Sequence, residues 1–513
     1  MASSYKNDGN SGLVSLCQQL LTGRRLILAS NRGPVEYRVD KDKNLRLSRG
    51  SGGVVTALSA VSKYVELTWI ASTMGEGDRK VAAEQNGKFL VQLPDQHLYL
   101  RFVPSTRNVY HKYYNIFCNP TLWFLQHYMW NSPYSPNIDS NIHDAWENGY
   151  IPVNQAFANA IIDDAADDST PPIIMLNDYH LYLAGGFIRQ QLPSAIIQHF
   201  IHIPWPAPSY WQLFPNTMRK SILQSLCSVD IVGLQTLRDV HQFLDCCEAF
   251  LNGVRIDYEK HTVFHRGHLT RIMHYPVSVD VAALTRLAHS PRIQEYKEKL
   301  RPYFGEKTIV RVDRSEPSKN ILRGLRSFDR LLEQYPEFRR RVNMVCFIVP
   351  SRSGIKQYQK YTQEIFDSID TINSKYKSGE WQPIKVFFEN NYIQAIAGMS
   401  MYDVLFVNPV IDGMNLVAKE GPIVNQKNGV LILSEAAGAC EQLKRNVIPI
   451  SPADILGTTQ ALYDALTMDE AEKEKRIESL RSTISSYDIT RWLTEQFKDL
   501  QSLITQPSLP QLV

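Results

Sequence analysis

The sequence lacks a long hydrophobic run, a strong net charge and a paired cysteine motif. No apolar stretch reaches the roughly 20 residues that a membrane-spanning helix needs, and the polar opening segment 1–12 has no signal-peptide core. The formal net charge of +3 over 513 residues gives no global support for binding nucleic acid or an anionic membrane. We therefore expect a cytoplasmic protein that meets any anionic ligand with local clusters of cations.

Cysteine and metal chemistry have equally little support. The 7 cysteines include no Cys-x-x-Cys spacing, and an odd number in a long chain favours reduced thiols over disulfides. The adjacent Cys246 and Cys247 are expected to be buried and inert, since cysteine is among the most buried residue types. The one Asp-x-Asp, formed by Asp40 and Asp42, lies in a charged, turn-like stretch and is expected to be solvated. We predict no metal and no cofactor.

Short β-rich segments alternate with amphipathic segments along the chain. Ile321, Leu325 and Phe328, for example, share one face of a predicted helix. Such alternation is typical of parallel sheets covered by helices, so the predicted fold class is α/β. The predicted strands include residues 26–28, 173–176, 200–201, 229–232, 308–310, 345–349, 404–407 and 430–433.

The length of the chain predicts two domains, because 513 residues exceed what one ordinary core holds. A polar segment at 280–305 precedes a second series of strands and helices, so we place the boundary near residue 278. An apolar stripe beginning at Ile489 predicts a C-terminal helix that packs either across the first domain or at the end of the second. The expected segments are a flexible N-terminus at 1–20, a first domain at 21–278, a second domain at 279–486, and the helix and its tail at 487–513.

Loops that follow strands are the place to look for chemistry, because open parallel sheets bind ligands at the carboxyl ends of their strands. The first such loop, 50–53, leads into a helix predicted at Val54. Gly52 and Gly53 would offer backbone amides to a phosphate there. By itself, a plain flexible loop explains these glycines better.

Three cations follow two predicted strands of the second domain. Arg314 and Lys319 come after the first of these strands, and Arg352 comes after the next. Cations at strand ends would neutralise a diphosphate leaving group as a glycosidic bond breaks. One such residue is more simply a solvated surface charge. Three of them shift the balance toward a site for a polyanion.

Two carboxylates frame the segment 412–420. Asp412 and Glu420 are eight residues apart, roughly 12 Å along a helix that we expect to begin at Gly413. This separation suits one carboxylate on sugar hydroxyls and the other on a ribose, with helix amides beneath a diphosphate. The alternative makes Asp412 a helix cap and Glu420 a solvated residue. We favour the binding site because the pattern is unusual.

Asp178 and His202 each follow a predicted strand of the first domain. Asp178 could orient an acceptor hydroxyl and His202 a sugar hydroxyl. A hydrogen-bonded core histidine is an equally good interpretation of His202.

In their order along the chain, these segments resemble glycosyltransferase family 20 over about residues 26–500. The resemblance implies a GT-B fold, in which two Rossmann-like domains face a central cleft, and transfer with retention of configuration and without a metal. The segment 412–420 is its most specific motif. The matching segments are 30–32, 52–53, 114–123, 178–180, 202–204, 314–319, 350–352, 412–420 and 433–438.

The resemblance also implies roles for individual residues. The catalytic group comprises Asp178, His202, Arg314 and Lys319. The donor-binding group comprises Gly52, Gly53, Arg314, Lys319, Asp412, Gly413, Met414, Asn415, Leu416 and Glu420. The acceptor-binding group comprises Arg32, Tyr114, Trp123, Asp178 and Arg352.

Four positions depart from the family pattern. Ser72 replaces a tryptophan, Asn177 a histidine, Asn320 a glycine and Ile411 an arginine. We expect Ser72 to leave room or water where an indole would pack over the acceptor. Similar departures occur in relatives that join a cyclitol to a phosphorylated acceptor through nitrogen.

The resemblance implies transfer of glucose from UDP-glucose or GDP-glucose to glucose 6-phosphate, which forms trehalose 6-phosphate. We expect front-face substitution in which the leaving phosphate assists removal of the acceptor proton. One alternative is a pseudo-glycosyltransferase that couples a nucleotide-activated cyclitol to an amino-cyclitol phosphate. Another is a catalytically silent regulator that binds sugar phosphates. The donor base and a homo-oligomeric state stay open.

Overall fold

The computed structural model describes residues 8–49, 61–63, 65–85, 87–93, 96–166 and 168–505. The chain divides into two compact units. The first unit comprises residues 1–276 and 489–513, and the second comprises residues 277–488. The division after Pro276 lies next to the boundary expected near residue 278.

The first unit contains a 10-stranded sheet with the order β10-β11-β12-β9-β8-β7-β1-β4-β6-β5 among the described residues. The strands from β12 to β6 in this order are parallel, whereas β5, β10 and β11 pair antiparallel. The separate hairpin β2-β3 is antiparallel. The strands are β1 Leu26–Ser30, β2 Val35–Val39, β3 Leu45–Arg49, β4 Thr68–Ser72, β5 Lys88–Leu93, β6 Gln96–Val103, β7 Ile173–Asn177, β8 Ile196–Phe200, β9 Ile231–Leu234, β10 Arg255–Asp257, β11 Thr262–His265 and β12 His268–His274.

Helices cover the sheet of the first unit. The α-helices are Asp8–Leu21, Glu76–Gln85, Arg107–Tyr110, Phe124–Gln126, Ser140–Ala145, Ile151–Asp164, Ala184–Gln191, Pro208–Trp211, Asn216–Leu226, Leu237–Phe250 and Ile489–Thr505. Residues Val61–Lys63 and Tyr179–Leu181 form 3₁₀ turns, and His111–Trp123 and Trp146–Tyr150 are π-helical.

The two terminal helices pack in the first unit. Helix Asp8–Leu21 begins inside the segment that was expected to be flexible, and it is ordered because Leu13, Cys17 and Leu20 are buried on one face. Helix Ile489–Thr505 also belongs to this unit. Its buried Trp492 donates from Nε1 to the backbone oxygen of Tyr275 at 3.2 Å.

The second unit contains a 6-stranded parallel sheet with the order β15-β14-β13-β16-β17-β18 among the described residues. Its α-helices are Val281–Ala288, Pro291–Leu300, Ile321–Gln334, Lys356–Tyr376, Tyr392–Met399, Val417–Val424, Ala439–Leu443, Ile455–Thr467 and Glu470–Ser486. Its 3₁₀ turns are Arg301–Tyr303, Pro317–Lys319, Pro336–Phe338 and Lys444–Asn446. Its strands are β13 Lys307–Arg314, β14 Val342–Val349, β15 Ile384–Phe388, β16 Val404–Val407, β17 Val430–Ser434 and β18 Ile448–Ile450.

Each unit has the strand order of a Rossmann fold. The sheet order reverses between β13 and β16 in the second unit, and between β1 and β7 in the first. Ligands of such sheets bind outside the carboxyl ends of the strands at the point of reversal. The two reversal points therefore define where a site can be expected in each unit.

The 7 cysteines all lie within the described residues, and each is buried and without a disulfide. Burial raises the pKa of the Cys246 thiol to about 12. This confirms the expectation of inert thiols. Among the helices that the structure describes, none combines the length and the apolar character needed to cross a membrane.

Candidate active site

The reversal point of the second unit brings Lys319 and Asp412 together. Lys319 ends the 3₁₀ turn that follows β13, and Asp412 lies in the loop that follows β16. Lys319 Nζ donates to Asp412 Oδ2, and Asn415 Nδ2 donates to the same oxygen at 3.0 Å. Three residues expected on the donor side thus form one hydrogen-bonded cluster.

The helix after Asp412 begins later than expected. The sequence predicts a start at Gly413, but the helix is Val417–Val424. Asn415 explains the difference, because its backbone is left-handed, with φ 77°, and its Oδ1 accepts from the amide of Ala418 at 3.2 Å. A side chain that bonds the backbone in this way competes with helix formation. The helix amides consequently begin beside the Lys319 and Asp412 cluster.

Glu420 lies in the first turn of this helix. The Tyr392 hydroxyl donates to Glu420 Oε1 at 3.1 Å. Burial raises the pKa of Glu420 to about 7, because this single hydrogen bond only partly offsets the loss of water. A ligand hydroxyl that donates to this carboxylate would favour its charged form.

Arg314 and Arg352 are brought together by Glu316, a residue that the sequence analysis did not single out. Glu316 Oε1 lies 3.1 Å from Arg314 Nη1 and accepts from Arg352 Nη1 at 2.7 Å. Burial by itself would raise the pKa of Glu316, but Arg314, Arg352 and Lys319 outweigh burial and lower it to about 2. The position of Glu316 between Arg314 and Lys319 was the available signal.

Asn320, one of the four departures, has a local explanation. Its φ of 56° is left-handed, a conformation that glycine adopts readily and asparagine tolerates better than most other residues. Its Nδ2 donates to the backbone oxygens of Asn408, at 3.0 Å, and Pro452, at 2.8 Å. Asn320 therefore keeps the glycine-like turn and ties it to the loop after β16. Nothing in the structure explains Ile411.

The reversal point of the first unit brings Asp178 and His202 together. Asp178 follows β7 with φ 71° and ψ 172°, a region populated almost only by glycine. Its Oδ1 accepts from the amide of His202 at 3.2 Å, and its backbone oxygen lies 3.1 Å from His199 Nε2. A strained backbone held by several hydrogen bonds is common at functional sites.

His202 is neutral at physiological pH. Burial, followed by the effect of His199, lowers the pKa of His202 to about 3. Its Nε2 lies 3.2 Å from Asn177 Oδ1, so the second departure, Asn177, is its direct partner. His202 cannot act as a general acid when it is uncharged in this way.

Tyr114 is placed next to the Asp178 segment by the π-helix His111–Trp123. The Tyr114 ring stacks on Tyr110 at 5.4 Å and on His180 at 5.9 Å between centroids. Trp123, at the other end of the π-helix, is 2% exposed and stacks on His127 at 3.8 Å. The structure thus stacks Tyr114 on His180, two residues from Asp178, and buries the Trp123 ring against His127.

The expectation that Ser72 borders open space is wrong. Ser72 is 1% exposed, and its hydroxyl donates to Asn31 Oδ1 at 3.0 Å. Asn31 Nδ2 in turn donates to the Tyr110 hydroxyl at 3.3 Å. Ser72 is therefore packed behind the surface as part of a polar network. Arg32, next to Asn31, is exposed after β1.

The remaining predicted positions divide into two groups. Gly413, Met414 and Leu416 lie in the loop between Asp412 and the helix Val417–Val424, and Met414 is 3% exposed. Gly52 and Gly53 lie outside the described residues.

Asp40 accepts hydrogen bonds from the amides of Asp42 and Asn44, each at 2.9 Å, as expected of a turn. In the part of the chain that the structure describes, no cluster of three or more His, Cys, Asp or Glu side chains could hold a metal ion.

Comparison with known proteins adds an independent line of evidence. The model of glycosyltransferase family 20 matches residues 24–502. Over 91% of its length, the chain is 28% identical to an alpha,alpha-trehalose-phosphate synthase [UDP-forming] of Dictyostelium discoideum, and it spans 61% of that relative. It is also 28% identical to the Schizosaccharomyces pombe enzyme of this name, covering 97% of this chain and 94% of the relative. A validamine 7-phosphate valienyltransferase of Streptomyces hygroscopicus is 26% identical, covering 94% of this chain and 95% of the relative.

Two solved structures match more than nine tenths of the chain. An E. coli structure bound with UDP-2-fluoro glucose has a TM-score of 0.79 and 26% identity, covering 93% of this chain and 99% of that chain. A Burkholderia xenovorans alpha,alpha-trehalose-phosphate synthase (UDP-forming) in complex with glucose-6-phosphate also has a TM-score of 0.79 and 26% identity, covering 93% of this chain and 100% of that chain.

Proposed function

Since the chain belongs to glycosyltransferase family 20 and has the GT-B fold expected from its sequence, we propose that it transfers glucose from UDP-glucose to glucose 6-phosphate. The products are UDP and trehalose 6-phosphate, and the anomeric configuration is retained. The observation that carries this proposal is the cluster of Lys319, Asp412 and Asn415 at the reversal point of the second unit. UDP is favoured over GDP because the matching relatives are UDP-forming.

The second unit supplies the groups that a nucleotide diphosphate sugar needs. Arg314, which is half exposed, and Lys319 provide positive charge for the diphosphate. The amides at the start of helix Val417–Val424 add partial positive charge on the same side. Glu420 accepts from ribose hydroxyls, and Asp412 from hydroxyls of the transferred sugar.

Departure of the diphosphate is the step that these cations favour. Negative charge builds on the leaving phosphate as the bond to the anomeric carbon lengthens. Arg314 and Lys319 are already paired with Glu316 and Asp412, so little reorganisation is needed when the charge develops. We propose that the leaving phosphate itself accepts the proton of the acceptor hydroxyl on the same face.

The acceptor is assigned to the residues that the family resemblance implies, which are Arg32, Tyr114, Trp123, Asp178 and Arg352. Arg32 of the first unit and Arg352 of the second are each suited to the phosphate of glucose 6-phosphate, because guanidinium groups match phosphate oxygens in charge and geometry. Asp178 orients the attacking hydroxyl, and Tyr114 lies against the sugar ring. His202 accepts a hydrogen bond from the transferred sugar, as its neutral state allows.

Coupling of an activated cyclitol to an amino-cyclitol phosphate is the second candidate. The valienyltransferase relative, which matches almost the whole chain, favours it. The two candidates differ in the acceptor atom, which is oxygen in glucose 6-phosphate and nitrogen in the amino-cyclitol. The same anion-binding residues serve both, so only a comparison of acceptors separates them.

Product analysis tests the proposed function. The purified full chain is incubated with UDP-glucose and glucose 6-phosphate, and UDP release and the disaccharide phosphate are measured together. Equal amounts of UDP and trehalose 6-phosphate are expected, and saturating chelator should leave the rate unchanged. Binding of both substrates without UDP release would instead identify a silent regulator. A higher rate with an amino-cyclitol phosphate and its activated partner would favour the second candidate.

A further inference from the structure

Glu316 is a buried carboxylate between two cations that the proposed function assigns to different substrates. Its side chain has an exposure of 0%. The same Oε1 atom lies 3.1 Å from Arg314 Nη1 and 2.7 Å from Arg352 Nη1, and it accepts from Ser351 Oγ at 2.7 Å. One oxygen atom therefore joins the loop after β13 to the loop after β14.

A negative charge at this place needs an explanation. Glu316 is charged at neutral pH, since Arg314, Arg352 and Lys319 outweigh burial and lower its pKa to about 2. A permanent anion repels the diphosphate and the acceptor phosphate, and so it weakens the binding of both substrates by Coulomb interaction. It also bears the free-energy cost of burial. Affinity for anions alone would favour a neutral residue here.

The side chains around Glu316 indicate that it fixes geometry. Arg352 has a left-handed backbone, with φ 46°, which a residue with a Cβ adopts only when its surroundings hold it. Besides Glu316, Arg352 Nη1 contacts the Tyr358 hydroxyl at 3.0 Å. A guanidinium group has five N–H donors. Glu316 engages one nitrogen of each arginine, which orients the rest of each guanidinium.

We propose that Glu316 is a positioning residue that holds Arg314 and Arg352 on one carboxylate oxygen and thereby couples nucleotide diphosphate binding to acceptor phosphate binding. The identities of the two substrates rest on the proposed function. Because both guanidinium groups share one acceptor, a ligand that fixes one of them changes the hydrogen bond available to the other. A ligand phosphate that holds one guanidinium keeps the shared oxygen in place for the other, so UDP and glucose 6-phosphate should raise each other's affinity, and by reciprocity they do so by the same factor.

Titration calorimetry on the full chain tests the coupling. The dissociation constant of UDP is measured with and without saturating glucose 6-phosphate. In the wild type, glucose 6-phosphate should tighten UDP binding at least about fivefold. We call the UDP dissociation constant without glucose 6-phosphate, divided by that with it, the UDP binding ratio. Glu316→Gln keeps the shape of the side chain but removes its charge, and the UDP binding ratio should fall to within about twofold of one. A wild-type ratio near one, or an unchanged ratio in Glu316→Gln, overturns the inference.

Glu306→Gln is the matched control. Glu306 accepts from Arg341 at 2.8 and 2.6 Å at an exposed position of the same unit, so this variant removes an arginine partner away from the site. It should keep the wild-type ratio. A UDP binding ratio near one in this control as well would mean that the loss of any ion pair disturbs the second unit. This result would also overturn the inference.

Steady-state kinetics give a second readout. Glu316→Gln should lower kcat/KM for both substrates by about tenfold, because the weaker hold of a neutral oxygen on both arginines outweighs the relief of Coulomb repulsion. Loss for one substrate alone contradicts a shared role. If Glu316→Gln does not fold, Glu316→Asp decides, because its shorter side chain keeps the charge but cannot reach both arginines. A lower binding ratio in Glu316→Asp supports the inference, and an unchanged ratio overturns it.

The binding experiment separates this inference from the proposed function. Suppose that the wild type makes no trehalose 6-phosphate, but that its UDP binding ratio is above one and falls to near one in Glu316→Gln. The proposed function then fails and the coupling stands. If the wild type makes trehalose 6-phosphate and the ratio is the same in both proteins, the function stands and the coupling fails.

Discussion

Asn177 Oδ1 lies 3.2 Å from His202 Nε2, while Asn177 Nδ2 donates to the backbone oxygens of Met175, at 3.2 Å, and Ala29, at 3.4 Å. Backbone oxygens only accept hydrogen bonds, so the orientation of the Asn177 amide is fixed. Its oxygen must then face a donor, and His202 Nε2 carries the hydrogen. The other ring nitrogen, Nδ1, is therefore an acceptor in the neutral ring.

Asn177→Asp should make the activity sensitive to acid. In the wild type, the burial-lowered pKa of His202, about 3, keeps the ring neutral throughout the range from about pH 5 to 8. A carboxylate at position 177 favours the charged imidazolium and raises the pKa of His202. A pH profile of kcat at saturating substrate should then gain an acidic limb from His202, in addition to any contribution of Glu420 that the wild type shares. Asn177→Leu, which adds no charge, should lower kcat without that limb.

The fold should become less stable as the pH is lowered, because two histidines are buried as neutral groups. Burial lowers the pKa of His199 to about 4 and that of His202 to about 3. An unfolded histidine has a pKa of about 6.5, so below this pH the unfolded state binds more protons than the folded state. The free energy of unfolding should decrease by about 1.4 kcal/mol per pH unit for each histidine.

Urea denaturation at about pH 7.5 and 5.5 measures this loss of stability. His199→Gln keeps a hydrogen-bond donor for the backbone oxygen of Asp178 but cannot bind a proton in this range. The variant should lose less stability between the two pH values than the wild type. An equal loss in both proteins would show that His199 does not contribute to the acid sensitivity.

Arg314→Ala and Lys319→Ala should each reduce kcat by about 100-fold, which is typical for the loss of one preorganised electrostatic donor. Folding stability should change far less, because Arg314 is 51% exposed and Lys319 bonds a carboxylate, that of Asp412, which is itself part of the site. Lys360→Ala, at a position 82% exposed, is the control and should keep full activity. Turnover within threefold of wild type in both site variants would contradict their assignment to the leaving diphosphate.

The sequence predicts the fold well because the sheet strands are short, apolar and separated by amphipathic helices. The strands predicted at 308–310, 345–349, 404–407 and 430–433 all lie within strands of the second sheet. The helix Asp8–Leu21 was missed because its first residues are polar and contain glycine. Its buried face depends on packing within the first unit, which local composition does not reveal.

The sequence predicts those site contacts whose partners are close in the chain or follow adjacent strands of the sheet. Lys319 and Asp412 follow adjacent strands, so their hydrogen bond agrees with the sequence pattern. Glu316 was missed because a charged residue in a turn is normally solvated. Its burial depends on Ser351 and Arg352, which follow a different strand. The helix start at Gly413 was wrong because Asn415 adopts a left-handed backbone.

Asn320 offers a test of backbone conformation against side-chain bonding. Asn320→Gly keeps the left-handed turn easily but loses the hydrogen bonds to Asn408 and Pro452. Asn320→Ala loses the same bonds and also places a Cβ in a conformation that costs roughly 1–2 kcal/mol. The alanine variant should therefore be less stable than the glycine variant by about 1 kcal/mol. Chemical denaturation of both variants measures the difference, and equal stabilities would mean that the turn relaxes.

The choice of acceptor should depend on its phosphate. Arg32 is exposed after β1, and Arg352 is held by Glu316 and Tyr358, so each presents a guanidinium group suited to phosphate. Free glucose offers neither residue a charged partner, and we expect it to be nearly inert as an acceptor. Efficient transfer to free glucose would contradict the role of both arginines.

The packing of Ser72 sharpens this expectation about the acceptor. Its hydroxyl is buried against Asn31, so the missing tryptophan leaves no open space beside Ser72 for a larger acceptor. Discrimination among phosphorylated acceptors should then fall to Tyr114 and Asp178, whose positions do not depend on an indole at residue 72. A donor-consumption panel of glucose, glucose 6-phosphate, other hexose phosphates and an amino-cyclitol phosphate measures the preference.

Ser72→Ala should preserve the order of preference, since it removes only the hydrogen bond to Asn31. Ser72→Trp should lower stability, because the larger ring has to displace the network of Asn31 and Tyr110. A stable Ser72→Trp protein with a narrower acceptor range would show that residue 72 does border the bound acceptor.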